Sequence, residues 1–323
     1  MRRKIILTVI AVVVVLLAVF LLGPRTPVDT QVTFDAARIG DDPDAWLAGQ
    51  EARFDDIEDG LQKEIVWASS SKSRTPLSLV YVHGFSASRG EAAPLTELVA
   101  SDLGANVFYT RLAGHGRDGD AMAEPSVNDW LNDMAEALAI GRMIGDEVVV
   151  LSMSTGAALT AWAAVERTDL MEKIKGVVLM SPNFRVKASG SWIMTMPWGA
   201  QLLRLVSGPE RGFEPVNATQ ARYWTERYPV DALLPMAALV KRVRDSAVEA
   251  AQVPALFIFS DADAVVDHSV TRAVAARWGA PHAIEVIAPK PGDGNHVIVG
   301  DALRPENNGP LAERITAWIR ALP

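Results

Sequence analysis

A chain of 323 residues with a formal net charge of −8 is long enough for one large catalytic domain, and it carries no basic stripe of the kind a phosphate backbone demands. Nucleic acid is therefore excluded as a partner. Cysteine is absent, which removes disulfide frameworks, thiolate metal sites and redox motifs. The five histidines are scattered without metal-ligand spacing and no glycine-rich phosphate loop occurs, so neither a metal nor a cofactor is expected.

The chain begins Met1-Arg2-Arg3-Lys4 and continues from Ile5 to Leu22 without a charge, with Thr8 as its one polar residue. At about 1.5 Å rise per residue such a helix reaches across a bilayer's hydrocarbon core. Residues 1–22 read as a signal-anchor, and the positive charges ahead of the apolar run place the rest of the chain on the non-cytoplasmic side. A cleaved signal peptide would have a shorter apolar core and an Ala-x-Ala site, which does not follow Leu22. Residues 23–60 read as a spacer and a short helix. The spacer, 23–42, is rich in Pro, Asp and Thr. The helix, between Asp44 and Ile57, sets Trp46, Leu47, Phe54 and Ile57 among acids and would pack on the domain surface, with lipid contact as the alternative.

Residues 61–182 form the first part of a domain core. Leu61–Ala68 is the first expected strand, and Leu77–Val82 is a buried one that ends in His83-Gly84-Phe85. Ser126-Val127-Asn128-Asp129 has the form of a helix capping box, followed by Trp130, Met134 and Leu138 at helical spacing. The run Val148-Val149-Val150-Leu151 breaks at Ser152-Met153-Ser154-Thr155-Gly156 and then becomes helix-friendly. A strand feeding a helix through so tight a turn holds a serine in strained backbone with its hydroxyl exposed, which is the nucleophile elbow. Gly176–Ser181 is a further strand. Residues 183–252 interrupt the alternation as a helical cap insertion that holds Trp192, Met196, Trp198, Phe213, Trp224 and Tyr228 among other aromatics and methionines. Most of these serve the insertion's own packing, and the remainder would line an apolar pocket. The core resumes over 253–323 with strands Pro254–Phe259 and Ala283–Ala288. Strands alternating with helices imply an α/β fold, a mainly parallel doubly wound sheet with its site at the strands' carboxyl ends.

A serine hydroxyl is a poor nucleophile until a base takes its proton, and an imidazole titrating near neutrality suits that task. His296 in Gly292-Asp293-Gly294-Asn295-His296 is the expected base. His268 lies too near the acid in sequence, and His282 precedes the last strand. His83 and His115 read as loop-stabilising. Asp263, just past a strand end, is the expected acid, in competition with Asp261 and Asp267. The Asp-x-Asp run is no calcium loop, because Val265 and Val266 stand where an EF-hand needs a ligand and a glycine. Ser154, then Asp263, then His296 is the order serine, acid, histidine.

With these residues, the His83-Gly84 turn, the loop Arg111-Leu112-Ala113-Gly114-His115-Gly116 and the acid turn ending in Val265-Val266, the chain resembles the α/β-hydrolase superfamily over residues 61–323. Within it, the chain is similar to monoacylglycerol-lipase-like and lysophospholipase-like serine esterases. Ser152 stands where those lipases have glycine, and Thr155 where they often have methionine. The resemblance implies an acyl-enzyme mechanism with an oxyanion hole formed by the backbone N–H groups of Phe85 and Thr155. It also implies a small-molecule acyl ester substrate such as an acylglycerol or lysophospholipid. The expected function is a membrane-anchored serine hydrolase of carboxylic esters. Amide or thioester hydrolysis, and a non-catalytic binding or scaffold domain of the same fold, are the alternatives.

Overall fold

The computed structural model describes residues 1–323. In chain order its elements are α1 (Arg2–Leu21), α2 (Pro43–Glu51), β1 (Glu64–Val66), β2 (Thr75–Val82), α3 (Leu95–Leu103), β3 (Asn106–Tyr109), α4 (Val127–Ile144), β4 (Gly145–Met153) and α5 (Ser154–Glu166). There follow β5 (Ile174–Met180), α6 (Gly199–Ser207), β6 (Glu210–Gly212), α7 (Ala218–Tyr223), β7 (Arg227–Pro229), α8 (Leu233–Arg244), β8 (Ala255–Phe259), α9 (His268–Arg277), β9 (His282–Val286) and α10 (Asn308–Arg320). A sheet of seven strands has the order β1-β3-β2-β4-β5-β8-β9, and every neighbour pair is parallel except β1 with β3. The expected α/β architecture is therefore present.

The inner strands read as nearly unbroken apolar runs because helices cover both faces. Val80, Val82, Val148, Val150, Val177 and Leu179 face α4, α5, α8 and α9, while Leu79, Tyr81, Val149, Leu151, Val178 and Met180 face α3 and α10. Local chemistry starts the helices where the sequence predicts. Ser126 and Asp129 form a reciprocal capping box on α4, satisfying two of the N–H groups a helix start leaves without partners.

Several boundaries differ from expectation. The first strand shrinks from 61–68 to three residues, because Leu61 is buried as part of a turn and Ala68 N–H leaves the ladder for the Asn106 side chain at 2.8 Å. The strand expected over 283–288 runs instead from His282 to Val286. The helix expected to reach Ile57 stops at Glu51. Phe54 instead lies under the guanidinium groups of Arg111 and Arg117, at 5.0 and 4.8 Å from its ring centre. Part of the expected spacer is docked: Asn132 accepts the backbone N–H groups of Thr33 and Phe34 at 2.8 and 2.7 Å, and Ile39 is buried.

α1 has no buried residue, and its mean hydropathy of 3.1 makes it long and apolar enough to cross a membrane. At its C-terminal end it meets the insertion, where Trp198 Nε1–H donates to Val19 O at 3.1 Å and Trp198 N–H to Pro24 O at 2.8 Å. The insertion between β5 and β8 has its own small core of Met194, Leu203, Val230, Leu234 and Ala237.

Candidate active site

β4 delivers Ser154 at the carboxyl end of the sheet. Its φ of 52° lies in the left-handed region that a side chain disfavours, and the strain is held by the packing on either side. Gly156 is the close-approach residue, since a Cβ there would sit 2.3 Å from Val82 O and 2.5 Å from His83 O. α5 thus passes directly over the end of β2. Ser152 replaces a glycine without loss because its hydroxyl turns into the sheet and donates to Val178 O at 3.1 Å.

The three residues singled out from the sequence come together. His296 Nε2 lies 2.9 Å from Ser154 Oγ, and His296 Nδ1 lies 2.8 Å from Asp263 Oδ2. Asp263 is fully buried, and its Oδ1 accepts the N–H groups of Val265 and Val266 at 2.7 and 2.9 Å. Two backbone donors fix this carboxylate in place, and Lys187 Nζ donates to the backbone carbonyl of the same residue at 2.5 Å. An ionised carboxylate only accepts, so the proton of His296 sits on Nδ1 and Nε2 is left to accept from the serine hydroxyl.

The rival residues other than His268, which opens α9, are engaged elsewhere. Asp267 caps α9, and its hydrogen bond with Ser269, aided by Arg185, holds its carboxyl down at about 2. Asp261 pairs with Arg272 at 2.7 Å. His282 lies at the start of β9, bonded to Ala280 O at 3.2 Å. His83 and His115 are loop ties. His83 Nδ1–H donates to Gly84 O at 2.9 Å while its Nε2 accepts from Leu112 N–H at 3.1 Å, and the two imidazoles stand 4.9 Å apart. Burial keeps both neutral, pushing His83 well below its ordinary value and His115 down to about 4. No group of three or more His, Asp or Glu side chains is gathered around a common point.

The oxyanion candidates lie beside the serine. Thr155 is in the first turn of α5, where N–H groups have no intrahelical acceptor, and Phe85 N–H has no acceptor within the protein. Gly84 runs against Ser154: a Cβ there would lie 3.1 Å from Ser154 Cβ. The Phe85 ring meets Tyr228 edge-on at 5.3 Å, and Thr225 N–H donates to Ser86 O at 2.7 Å, which ties this loop to the insertion. The arrangement can withdraw a proton from a hydroxyl, and the Thr155 and Phe85 N–H groups beside it have no acceptor in the protein.

The insertion's aromatics mostly pack away from Ser154. Phe213, Tyr223 and Trp224 gather around Ala87 and Ala302, Trp198 covers Gly23, and Trp192 is 62% exposed. Tyr228 and Met236 are the two that approach the site, the latter through its sulfur 3.4 Å from the Asn183 amide, whose backbone N–H is bonded to Ser154 O at 3.0 Å. A cavity of about 880 Å³ lies between residues 25–28 and α8 and does not include Ser154. Asn217, an Asn-x-Thr position, caps α7 and donates its side-chain amide to Ala302 O at 2.6 Å.

One residue of the site was not legible in the sequence. Glu91, buried at 2% exposure, accepts the Gly84 N–H at 2.6 Å and the Tyr81 hydroxyl at 2.9 Å. It falls in a run of small residues with no periodicity, and the one available signal is an acid in an otherwise uncharged stretch after Arg89.

A parallel sheet of this order, covered on both faces, with a serine in left-handed backbone at the end of its central strand, is an α/β-hydrolase. The sequence profile of the family described as serine aminopeptidase, S33 matches residues 75–289. The chain belongs to that family and is a serine hydrolase. Among solved structures it is similar to the metagenome-derived lipolytic enzymes LipS and LipT, at 20% identity and a TM-score of 0.65 over 82% of this chain and 99% of that one. It is also similar to the monoacylglycerol lipase of Paleococcus ferrophilus, at 18% identity and a TM-score of 0.58 over 80% of this chain and 98% of that one. A soluble variant of monoglyceride lipase from Saccharomyces cerevisiae gives 12% identity and a TM-score of 0.57 over 80% of this chain and 90% of that one. At these identities the likeness is one of fold. No curated protein sequence matches the chain.

Proposed function

We propose that the protein is a membrane-anchored serine esterase that cleaves carboxylic esters of acyl-bearing substrates such as acylglycerols or lysophospholipids. The single observation that carries this reading is the hydrogen-bonded series Asp263, His296, Ser154. Ser154 Oγ attacks the ester carbonyl while His296 Nε2 takes its proton. The imidazolium so formed is stabilised by the buried Asp263 carboxylate, and the Phe85 and Thr155 N–H groups receive the oxyanion. Collapse of the tetrahedral intermediate expels the alcohol, which takes the proton from His296, and leaves Ser154 acylated. Water, deprotonated by the same imidazole, then releases the acid. Residues 183–252 act as a cap over this site, with Tyr228 and Met236 toward the acyl group. Residues 5–22 span the membrane, and the catalytic domain lies on the non-cytoplasmic side.

The family's description favours a second reading, amide hydrolysis by the same three residues. Fluorophosphonate labelling of the full chain in detergent micelles, with peptide mapping and Ser154→Ala as control, tests the nucleophile. Modification at Ser154, absent from the variant, is expected. Labelling that survives Ser154→Ala removes the assignment. A parallel panel of p-nitrophenyl esters and aminoacyl p-nitroanilides decides between readings: faster turnover of an anilide than of every ester makes the enzyme an aminopeptidase.

A further inference from the structure

Glu91 is an acid that the reaction above does not use, yet it sits where the two site loops meet. Its Oε1 accepts from Gly84 N–H and from the Tyr81 hydroxyl. Its backbone carbonyl closes on the segment that follows His296, since a Cβ on Gly300 would lie 2.2 Å from Glu91 O, and Asp301 N–H donates to Ala93 O at 2.8 Å. A Cβ on Gly84 would fall 3.1 Å from both Glu91 Oε2 and Ser154 Cβ, so the carboxyl and the serine both lie against Gly84.

No lysine or arginine pairs with this acid. Burial pushes its carboxyl up to about 7 against the opposing pull of the Gly84 amide, the Tyr81 hydroxyl and the His296 charge. A buried acid without a cation lowers stability, and packing alone would be served better by an apolar side chain. What the acid supplies is an acceptor. Without it the Gly84 N–H would be buried and unpaired, and the peptide between His83 and Gly84 would be free to turn in search of a partner. Glycine has no side chain to resist that rotation. The next amide along is Phe85, whose N–H has no acceptor of its own.

We propose that Glu91 is a positioning residue: its hydrogen bond to Gly84 N–H locks the His83–Phe85 loop and thereby holds the Phe85 N–H on the oxyanion beside Ser154. This rests on the esterase reading. An amide that meets the oxyanion only in the tetrahedral state affects turnover far more than ground-state binding. The same loss should fall on an inhibitor that forms a tetrahedral oxyanion with the serine.

The test measures kcat and KM for p-nitrophenyl butyrate and Ki for an alkyl trifluoromethyl ketone, using the full chain in micelles, for wild type and for Glu91→Ala, Glu91→Asp and Glu91→Gln. Glu91→Ala is expected to lower kcat by about 100-fold and to raise Ki by a similar factor, with KM changed by less than about threefold. Glu91→Asp keeps the charge but withdraws the acceptor by one methylene, and should lose about tenfold in both quantities. Glu91→Gln keeps the reaching oxygen and should lose only about threefold. A Glu91→Ala variant with wild-type kcat and Ki overturns the proposal, as does one in which KM alone moves. If that variant does not fold, the order of the other two decides: Glu91→Gln weaker than Glu91→Asp means charge rather than reach is what matters, and the proposal is wrong. Absence of ester turnover by the wild type overturns the esterase reading, and with it the role given to the Phe85 amide.

Discussion

Two regions of this protein bury charge, and they do so by opposite means. Beneath the docked N-terminal segment, Lys63 lies between Asp133, at 3.1 Å, and Glu136, while Arg111 makes a two-pronged pair with Glu51 at 2.8 and 2.9 Å. Every ion there has a counter-ion. Burial works against the Lys63 ammonium, but Asp133 and Glu136 outweigh it and hold it above its ordinary value. Burial likewise works against the Glu51 carboxylate, and the Arg111 guanidinium outweighs it. At the sheet's carboxyl end, by contrast, neither the Asp263 nor the Glu91 carboxyl pairs with a lysine or arginine, and Lys187 meets Asp263 only through its backbone carbonyl, at 2.5 Å. Backbone N–H groups hold them, together with a hydroxyl for Glu91 and an imidazole for Asp263. Paired charges neutralise one another and fasten segments together. Acids held by neutral dipoles remain available to a charge that appears only during reaction.

The two regions should therefore fail differently. Asp263→Asn is expected to reduce kcat by about four orders of magnitude, because an amide at this position lets His296 adopt the wrong tautomer. Its urea midpoint should barely move, since the side-chain oxygen still accepts from Val265 and Val266. A loss of less than about tenfold in kcat would erase the distinction. Lys63→Ala should do the reverse. It leaves Asp133 and Glu136 facing each other without a cation, costing about 3 to 5 kcal/mol of unfolding free energy, measurable by urea denaturation. Per folded molecule, kcat should stay within about tenfold of wild type, because the cluster meets the loop beside the site through the Ala113 amide and the His115 carbonyl and bonds none of Ser154, Asp263 and His296. The smallest effect concerns pH. Glu91 has a folded-state value raised from 4.5 to about 7, so the stability it lends is complete below about pH 4.5 and is lost as pH rises through 7. Glu91→Gln removes that dependence. Its melting temperature should exceed that of wild type by about 5 °C at pH 8.5, with the gain shrinking toward pH 5, as followed by circular dichroism. An equal difference at both pH values would mean that Glu91 does not titrate in this range.

The residues legible in advance share a property: each is announced by its immediate neighbours. Ser154 stands at the break of a β-branched run, Asp263 just past a strand end, and Ser126 and Asp129 at capping spacing. What escaped notice depends on distant partners. Residues 29–39 read as spacer because they are polar, yet their backbone groups are satisfied by Asn128 and Asn132, about a hundred positions away. The insertion's aromatics could be counted but not apportioned, and the fold sends Trp224 to the Ala87 loop, Trp198 to α1 and Tyr228 to Phe85.

Strand and helix identities, the strained turn at Ser154 and the order of serine, acid and histidine follow from the sequence alone, because steric limits and side-chain periodicity act over a few residues. Only the tertiary structure could bring His296 to a serine 142 positions earlier and set Glu91 against the Gly84 amide. Those outcomes depend on which strand ends the parallel sheet places side by side. The register is decided jointly by the packing of both faces, and no local stretch of chain encodes it.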